Sequence, residues 1–497
     1  MMAPVYRLLI FPFLFLLIAT VQLRAENPYC AFDAEVRRIY ELIVHFDFSA
    51  AKKALGNKAD QHPNKAYLLL DNSIDYYRHF MLEEKQDLAS RKALKDKRIQ
   101  LLKKSGLSVE WKRFIHAEML LHWAMIMIKH GDMVRGIQHF HESVGLLESN
   151  IKEHPDFIYT YKSIGVLHSL LATIPEGYQW AAKLVGLSGN YNSGKAELER
   201  FIRFAEKDGD MFLEESYGAL VFLQTYLENK PEKAYQYWVL KMGMRDPNPV
   251  FTMVQSHVAM RAGYNDAAIN ILESLPAEQR DRYPYLNFLL GIVRLQKIDP
   301  RCERHFQSFL KLYKGDTRIK ESYQKMAWNA LLQGNRTMYH LNISRCLNQG
   351  AMITDDDQQA YDEAKSGKMP DSVLLRARLL CDGGYGQKAQ ETLMPFRDAY
   401  YKDPQRRLET AYRLGRIYQL KKENDAALNA FEDTWKFDPA IQSYMAANAL
   451  LQAGFIHETA GRKQQARNHY EKLLQSKPLQ YRKSLHQKAK SGLARLN

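Results

Sequence analysis

Cysteine is scarce in this chain of 497 residues, which has four: Cys30, Cys302, Cys346 and Cys381. Their wide spacing matches no Cys-x-x-Cys redox or zinc pattern, and a disulfide framework is not indicated. If one pair closes, Cys302 with Cys346 is favoured, about one helix pair apart; the plainer expectation is four buried thiols packing as small apolar groups. Long apolar runs are missing after the first residues, so no later segment is expected to span a bilayer as a helix. Runs of alternating polar and β-branched residues are missing too, which leaves no case for strands.

The start of the chain has the three-part layout of a secretory signal. Arg7 gives a basic start, Leu8 to Val21 an apolar stretch interrupted by Pro12, and a polar exit ends at Ala25. The expectation is a signal peptide over residues 1–25 and an exported chain. The destination would be the periplasm or envelope in a bacterium and the secretory pathway in a eukaryote. Lipidation at Cys30 is excluded because Pro28 and Tyr29 stand where small residues should precede it. The net charge of +14 favours acidic partners or anionic surfaces. Diluted over so long a chain, it gives no case for nucleic acid.

Apolar residues recur at helical spacing in segments of ten to twenty residues, separated by breaks at Gly, Asn, Asp and Pro. This rhythm predicts helix hairpins, and it repeats. LETAYRLGRIYQLKKENDAALNAFEDTWKFDP carries Leu414, Gly415, Tyr418, Ala427, Phe431 and Pro439, and the next unit repeats the scheme with Gly454, Ala466, Tyr470 and Pro478. These are the offsets of a 34-residue tetratricopeptide unit. Small residues belong where the two helices of a unit approach most closely, and aromatics fill space against neighbours. More degenerate units surround Ala234 and Trp238, Ala268 and Leu272, Ala389 and Leu393, and Gly136 and Phe140. The prediction is an all-α, right-handed superhelical solenoid of seven or eight antiparallel pairs, since a single pair cannot bury its own apolar face.

Residues 174–194, IPEGYQWAAKLVGLSGNYNSG, break the rhythm. They are read as an irregular insert dividing an N-terminal array, 26–173, from a C-terminal array, 195–497, that ends in a basic closing helix. The segment GVLHSLLATIPEGYQWAAKLVGLSGNYNSGKAELERF and the chain end from AANALLQAGFIHETAGRKQQARNHYEKLLQ to YRKSLHQKAKSGLARL resemble the inclusion-body-clearance or outer-membrane family of tetratricopeptide proteins. That resemblance implies a repeat protein without an active site, of a kind implicated in handling aggregated protein and lipid stores. Members of that family lack a signal peptide, so only the fold and an adaptor character are carried over.

Four motifs with chemical content are weighed and set aside. Gly189 to Lys195 fits a phosphate-binding loop up to its last place, but Ala196 stands where a hydroxyl should hold Mg²⁺ and no strand precedes it. His116, His122, His130, His139 and His141 are not spaced to converge on a metal. Asp355, Asp356 and Asp357 open like a calcium loop but lack its glycine, and are read as an acidic helix start. Asn335 and Asn342 fit glycosylation acceptors, which matters only in a eukaryotic source. No cofactor or metal is called for, and no local signature of an enzyme is present.

The first helix of each tetratricopeptide unit lines the concave face. By resemblance to such grooves, the exposed places fall on Glu409, Tyr412, Arg416, Gln419, Asn448, Leu451, Phe455 and Glu458. The expected function is an exported, non-catalytic scaffold or adaptor binding protein or peptide partners there. The alternative is a peripheral carrier or binder of lipid or anionic glycan. It is motivated by the basic excess, by the Trp180 patch, and by the closing segment, where Lys472, Lys477, Arg482, Lys483, Lys488, Lys490 and Arg495 occur without an acidic residue. The competing reading of that segment is a capping helix seated by Leu479, Leu485, Leu493 and Leu496.

Overall fold

A computed structural model describes residues 28–171, 189–243 and 246–496. The signal expected over 1–25 and the Trp180 patch lie outside these residues. The described residues form α-helices, with two short π-helical turns, one 3₁₀ turn and a single isolated bridge between Tyr29 and Asn64. No helix among them is long and apolar enough to cross a membrane.

The chain opens with α1 (Ala34–Val44), α2 (Ala66–Tyr76) and α3 (Leu88–Lys104), joined by shorter helices. Nine antiparallel pairs then follow. They are α4 (Val109–Lys129) with α5 (Met133–Glu153), α6 (Thr160–Leu171) with α7 (Tyr191–Asp208), and α8 (Leu213–Phe222) with α9 (Pro231–Met242). Next come α10 (Pro249–Arg261) with α11 (Asn265–Ser274), α12 (Tyr285–Gln296) with α13 (Cys302–Leu312), and α14 (Ile319–Leu332) with α15 (Arg336–Asn348). After α16 (Asp355–Ser366), the last pairs are α17 (Ser372–Asp382) with α18 (Gly386–Leu393), α19 (Arg407–Leu420) with α20 (Asn424–Phe437), and α21 (Tyr444–Thr459) with α22 (Lys463–Gln475). The closing helix α23 (Arg482–Leu496) packs on both members of the last pair.

The small and aromatic places do the packing work expected of them. A Cβ on Gly415 would come within 2.5 Å of the Phe431 ring, and one on Gly454 would collide with Tyr470. Gly492 of α23 meets the opposite edge of the same Tyr470 ring, so two glycines clasp one buried tyrosine. The same device recurs where Gly291 of α12 faces Phe306 of α13. Helix starts follow the chemistry of capping: Asp33, Asp132, Asn190, Asn248, Asn335, Thr354, Asp371 and Ser443 each accept a backbone N–H of the following turn.

The expected division at 174–194 falls inside a hairpin. The helices on its two sides, α6 and α7, pack as one pair, with Gly165 against the backbone of Gly194 and Leu198. The largest apolar cluster draws on helices on both sides of that connection, from Val36 to Leu379, and smaller clusters lie beside it and in the units that follow. The physical reason is that neighbouring pairs share their faces, so a long connection within one pair need not open a boundary. The four cysteines are free thiols; Cys302 and Cys346 are buried in separate clusters, and no disulfide joins them.

Candidate functional site

The inner helices α17, α19 and α21 each present one face to the concave side. Helical spacing selects Leu375, Arg378 and Asp382 from α17, Glu409, Arg413 and Arg416 from α19, and Tyr444, Asn448, Leu451 and Phe455 from α21. Together they line a continuous trough. Its outer part, about 490 Å³, is walled by Leu375, Glu409, Gln442, Met445 and Leu479. Its inner part, about 220 Å³, holds Tyr412, Arg416, Asn448, Leu451 and Phe455. Arg378, Arg413 and Tyr444 are common to both and form the waist.

Five of the eight side chains named from the sequence therefore meet in the inner chamber, and Glu409 lines the outer part. Gln419 and Glu458 lie in neither. Gln419 donates to Gln452 at 3.0 Å, and Glu458 accepts from Arg495 at 2.6 and 2.8 Å. The exposure expected of these positions needs correction: Tyr412, Asn448 and Leu451 are 3 %, 5 % and 1 % exposed. Tyr412 packs beside Phe431 and bonds Asn448, while Leu451 is covered by the closing helix. One side of α23 caps the array through Leu485, Ala489 and Leu496, while Lys488, Ser491 and Arg495 on the other side face the chamber. Leu479, expected to help seat this helix, is instead 83 % exposed at the trough rim.

Long-range contacts hold α23 in place. Arg495 donates to the Leu227 carbonyl at 2.7 Å, and Tyr481 donates to Asp356 at 3.3 Å and to Gln359. Leu227 belongs to a π-helical turn, Leu223–Leu227, that extends α8 and also delivers Tyr226 to the chamber wall. A second π turn, Tyr77–Met81, extends α2 and brings Phe80 and Met81 to an adjoining recess of about 370 Å³. That recess is lined by Phe222, Tyr226, Met253, Tyr283, Tyr285 and Phe309 among others. Local π turns rotate the helix end and re-aim side chains, and they gather at functional places. Tyr226 is the shared wall between the aromatic recess and the basic chamber.

Charge in the inner chamber is one-sided. Arg261, Arg378, Arg413, Arg416, Lys488 and Arg495 line it with one carboxylate, Asp382. Arg413 is held by Glu409 at 2.8 Å, Arg495 by Glu458, and Arg378 lies 3.8 Å from Asp382 and over the Trp328 ring. Arg261, Arg416 and Lys488 have no carboxylate partner among the described residues. Arg261 sits over the Tyr226 ring, and Arg416 is beside the Cys381 thiol. Burial, and after it the positive charges of Arg261 and Arg416, push the Lys488 ammonium down to about 8.

The motifs set aside on sequence are structural where they are described. Asn190 caps α7, and the loop-like lysine, Lys195, donates to Glu228 at 2.6 Å. His122 stacks on Tyr76 and bonds Asn72; His139 bonds Lys95; no group of metal-ligating side chains occurs among the described residues. Asp357 accepts from the backbone N–H of Arg318 and Glu321, which ties α16 to α14. Asn342, a glycosylation acceptor by sequence, is 1 % exposed. Sequence reasoning missed Arg378, Arg413 and Tyr444: the unit containing α17 is too degenerate to fix its register, Arg413 sits one place from Tyr412, and Tyr444 lies one helical turn before Asn448. Arg261 carried no signal, because only the curvature of the array brings α10 to the chamber.

No curated protein matches the chain. Among solved structures, the crystal structure of the APC/C hetero-tetramer Cut9-Hcn1 is similar at 14% identity, covering 92% of this chain and 96% of that chain with a TM-score of 0.24. Residues 448–478, which comprise most of α21, all of α22 and the turn after it, match the tetratricopeptide repeat family.

Proposed function

We propose that the chain is an exported helical-repeat scaffold that binds a protein partner in the trough formed by α17, α19 and α21. The tetratricopeptide-like architecture is of the kind used for protein interaction and is typically non-catalytic. The observation that carries the reading is the trough itself: three successive inner helices offer guanidinium, carboxylate, amide and aromatic groups along one line. An extended peptide presents its own groups at a similar pace, which is the chemistry such a surface suits. The resemblance to the inclusion-body-clearance family supports an adaptor role, and the basic, apolar and polar layout of residues 1–25 supports export.

Because α23 walls off the inner part, the partner engages the outer part, between Gln442, Met445 and the exposed Leu479. The test is crosslinking of the tagged chain in its native envelope, with mass spectrometry of what co-purifies, for the wild type and for Leu479→Glu combined with Gln442→Arg. A stoichiometric protein retained by the wild type and lost from the variant is the expected result. Equal retention by both sinks the trough as the binding face.

A second reading, a peripheral carrier of lipid or anionic glycan, is favoured by one observation: the aromatic recess and the basic chamber meet at Tyr226. Liposome flotation that ignores salt and the Tyr226→Asp substitution would count against it.

A further inference from the structure

We propose that the inner chamber, between α23 and the inner faces of α10, α17, α19 and α21, is a binding site for a compact phosphate- or sulfate-type oxyanion group.

Two independent observations point there. The first is charge: Arg261, Arg416 and Lys488 come from three distant parts of the chain, line one chamber of about 220 Å³, and lack carboxylate partners among the described residues. Like charges brought together in a confined space repel, and an anion between them turns the repulsion into attraction. Burial first, and after it the positive charges of Arg261 and Arg416, hold the Lys488 ammonium at about 8.

The second is the direction of the hydrogen bonds. The Asn448 amide nitrogen donates to both the Tyr412 and the Tyr444 hydroxyl oxygens, at 2.5 and 3.0 Å. Its carbonyl oxygen is occupied by Gln452 at 3.2 Å, and the Gln452 oxygen in turn accepts from Gln419. With the Asn448 amide in this orientation both tyrosines accept from it, and each keeps an O–H proton to give elsewhere. Neither has an acceptor among the described residues, and both line the chamber. Arginine, lysine and phenol donors thus converge with one carboxylate to receive them, the reverse of what a cationic or neutral ligand needs.

The size favours a compact head group over a polymer. The chamber also joins a compartment of about 510 Å³ through Arg261, Arg378, Asp382, Tyr444 and Lys488, and the aromatic recess through Tyr226. A free anion and the head group of an amphiphile share the chemistry that fits. Lys488, Ser491 and Arg495 sit on α23 while the other groups sit on the array, so a bound anion bridges the two and tightens the docking of the closing helix.

The proposal does not depend on the scaffold reading, whose test touches only the outer trough. It is tested on the full chain by calorimetry and thermal unfolding with inorganic phosphate, tripolyphosphate and short-chain phosphatidic acid, each against sodium chloride of matched ionic strength. The expected result is saturable one-site binding and a raised Tm beyond the salt control. Arg416→Gln and Lys488→Gln should each weaken binding about tenfold, the usual effect of losing one charge-assisted hydrogen bond. Lys402→Gln, on the exposed end of another helix, should leave it unchanged. If Arg416→Gln fails to fold, Lys488→Gln, at a solvent-accessible position, carries the test. Tighter binding of short-chain phosphatidic acid than of tripolyphosphate assigns a lipid head group; the reverse order assigns a free anion. No saturable binding at millimolar probe overturns the proposal, and so does binding that neither substitution weakens.

Discussion

The two ends of the array handle charge in opposite ways, one pairing its buried cations with carboxylates and the other lining a chamber with cations that reach solvent. Near the start, Arg98 bridges Asp71 and Asp75 at 2.5 and 2.6 Å, Arg91 joins the same pair, and Lys162 bridges Glu118 and Glu215 at 2.7 and 3.0 Å. Ser163 donates a further hydrogen bond to Glu118. Burial opposes the charged form of Lys162, but the two carboxylates overcome it and raise its pKa. In the inner chamber, by contrast, three cations are left over. A satisfied ion network locks helices together; an unsatisfied one stores a requirement for something from outside.

The sharpest way to break this contrast is to remove one partner from the paired end. Asp75→Asn strips Arg98 and Arg91 of a fully buried carboxylate and should cost about 3–5 kcal/mol of stability, read from denaturant midpoints. Glu118→Gln belongs to the same class and should behave alike. Next in size is packing that both ends need: Gly454→Leu drives a side chain into the Tyr470 ring and should cost about 1–3 kcal/mol.

At the unpaired end the sign should reverse. Without added anion, Lys488→Gln removes a repelled charge and should raise Tm by a few degrees at neutral pH. The depressed lysine also sets a pH trend. Between about 8 and the ordinary lysine value the unfolded chain holds more protons than the folded one, so stability attributable to Lys488 rises with pH across that window. The trend should vanish in Lys488→Gln. A fall in Tm on this substitution would erase the contrast between the two ends.

The smallest effect concerns the hairpin that carries the 174–194 connection. His168 of α6 bonds Glu197 of α7 at 2.8 Å, and this hydrogen bond, against the opposing effect of burial, raises the imidazole above its usual pKa of 6.5. A raised folded-state value means the contribution is complete below 6.5 and is lost as pH rises through the folded pKa. Glu197→Gln should therefore lower Tm by more at pH 5.5 than at pH 8.

Much of the fold was legible because repeats advertise themselves. Gly415 with Phe431 and Gly454 with Tyr470 are pairs that only two closely approaching helices require, and they appear at a fixed offset. The degenerate units escaped counting because a large side chain can be replaced by several small contacts without losing the pair. At the site, helical spacing put Tyr412, Arg416, Asn448, Leu451 and Phe455 on one face, and the structure brings those five together.

The sequence by itself determined the helix pairs, their inner faces and the basic character of the last helix, because these depend on local periodicity and composition. Only the tertiary structure decided that α6 and α7 are one hairpin, that Arg495 of α23 reaches the Leu227 carbonyl, and that Arg261 meets Arg416 and Lys488. Those outcomes depend on the curvature accumulated over many stacked pairs. Small rotations at each interface sum to a geometry that no single repeat encodes.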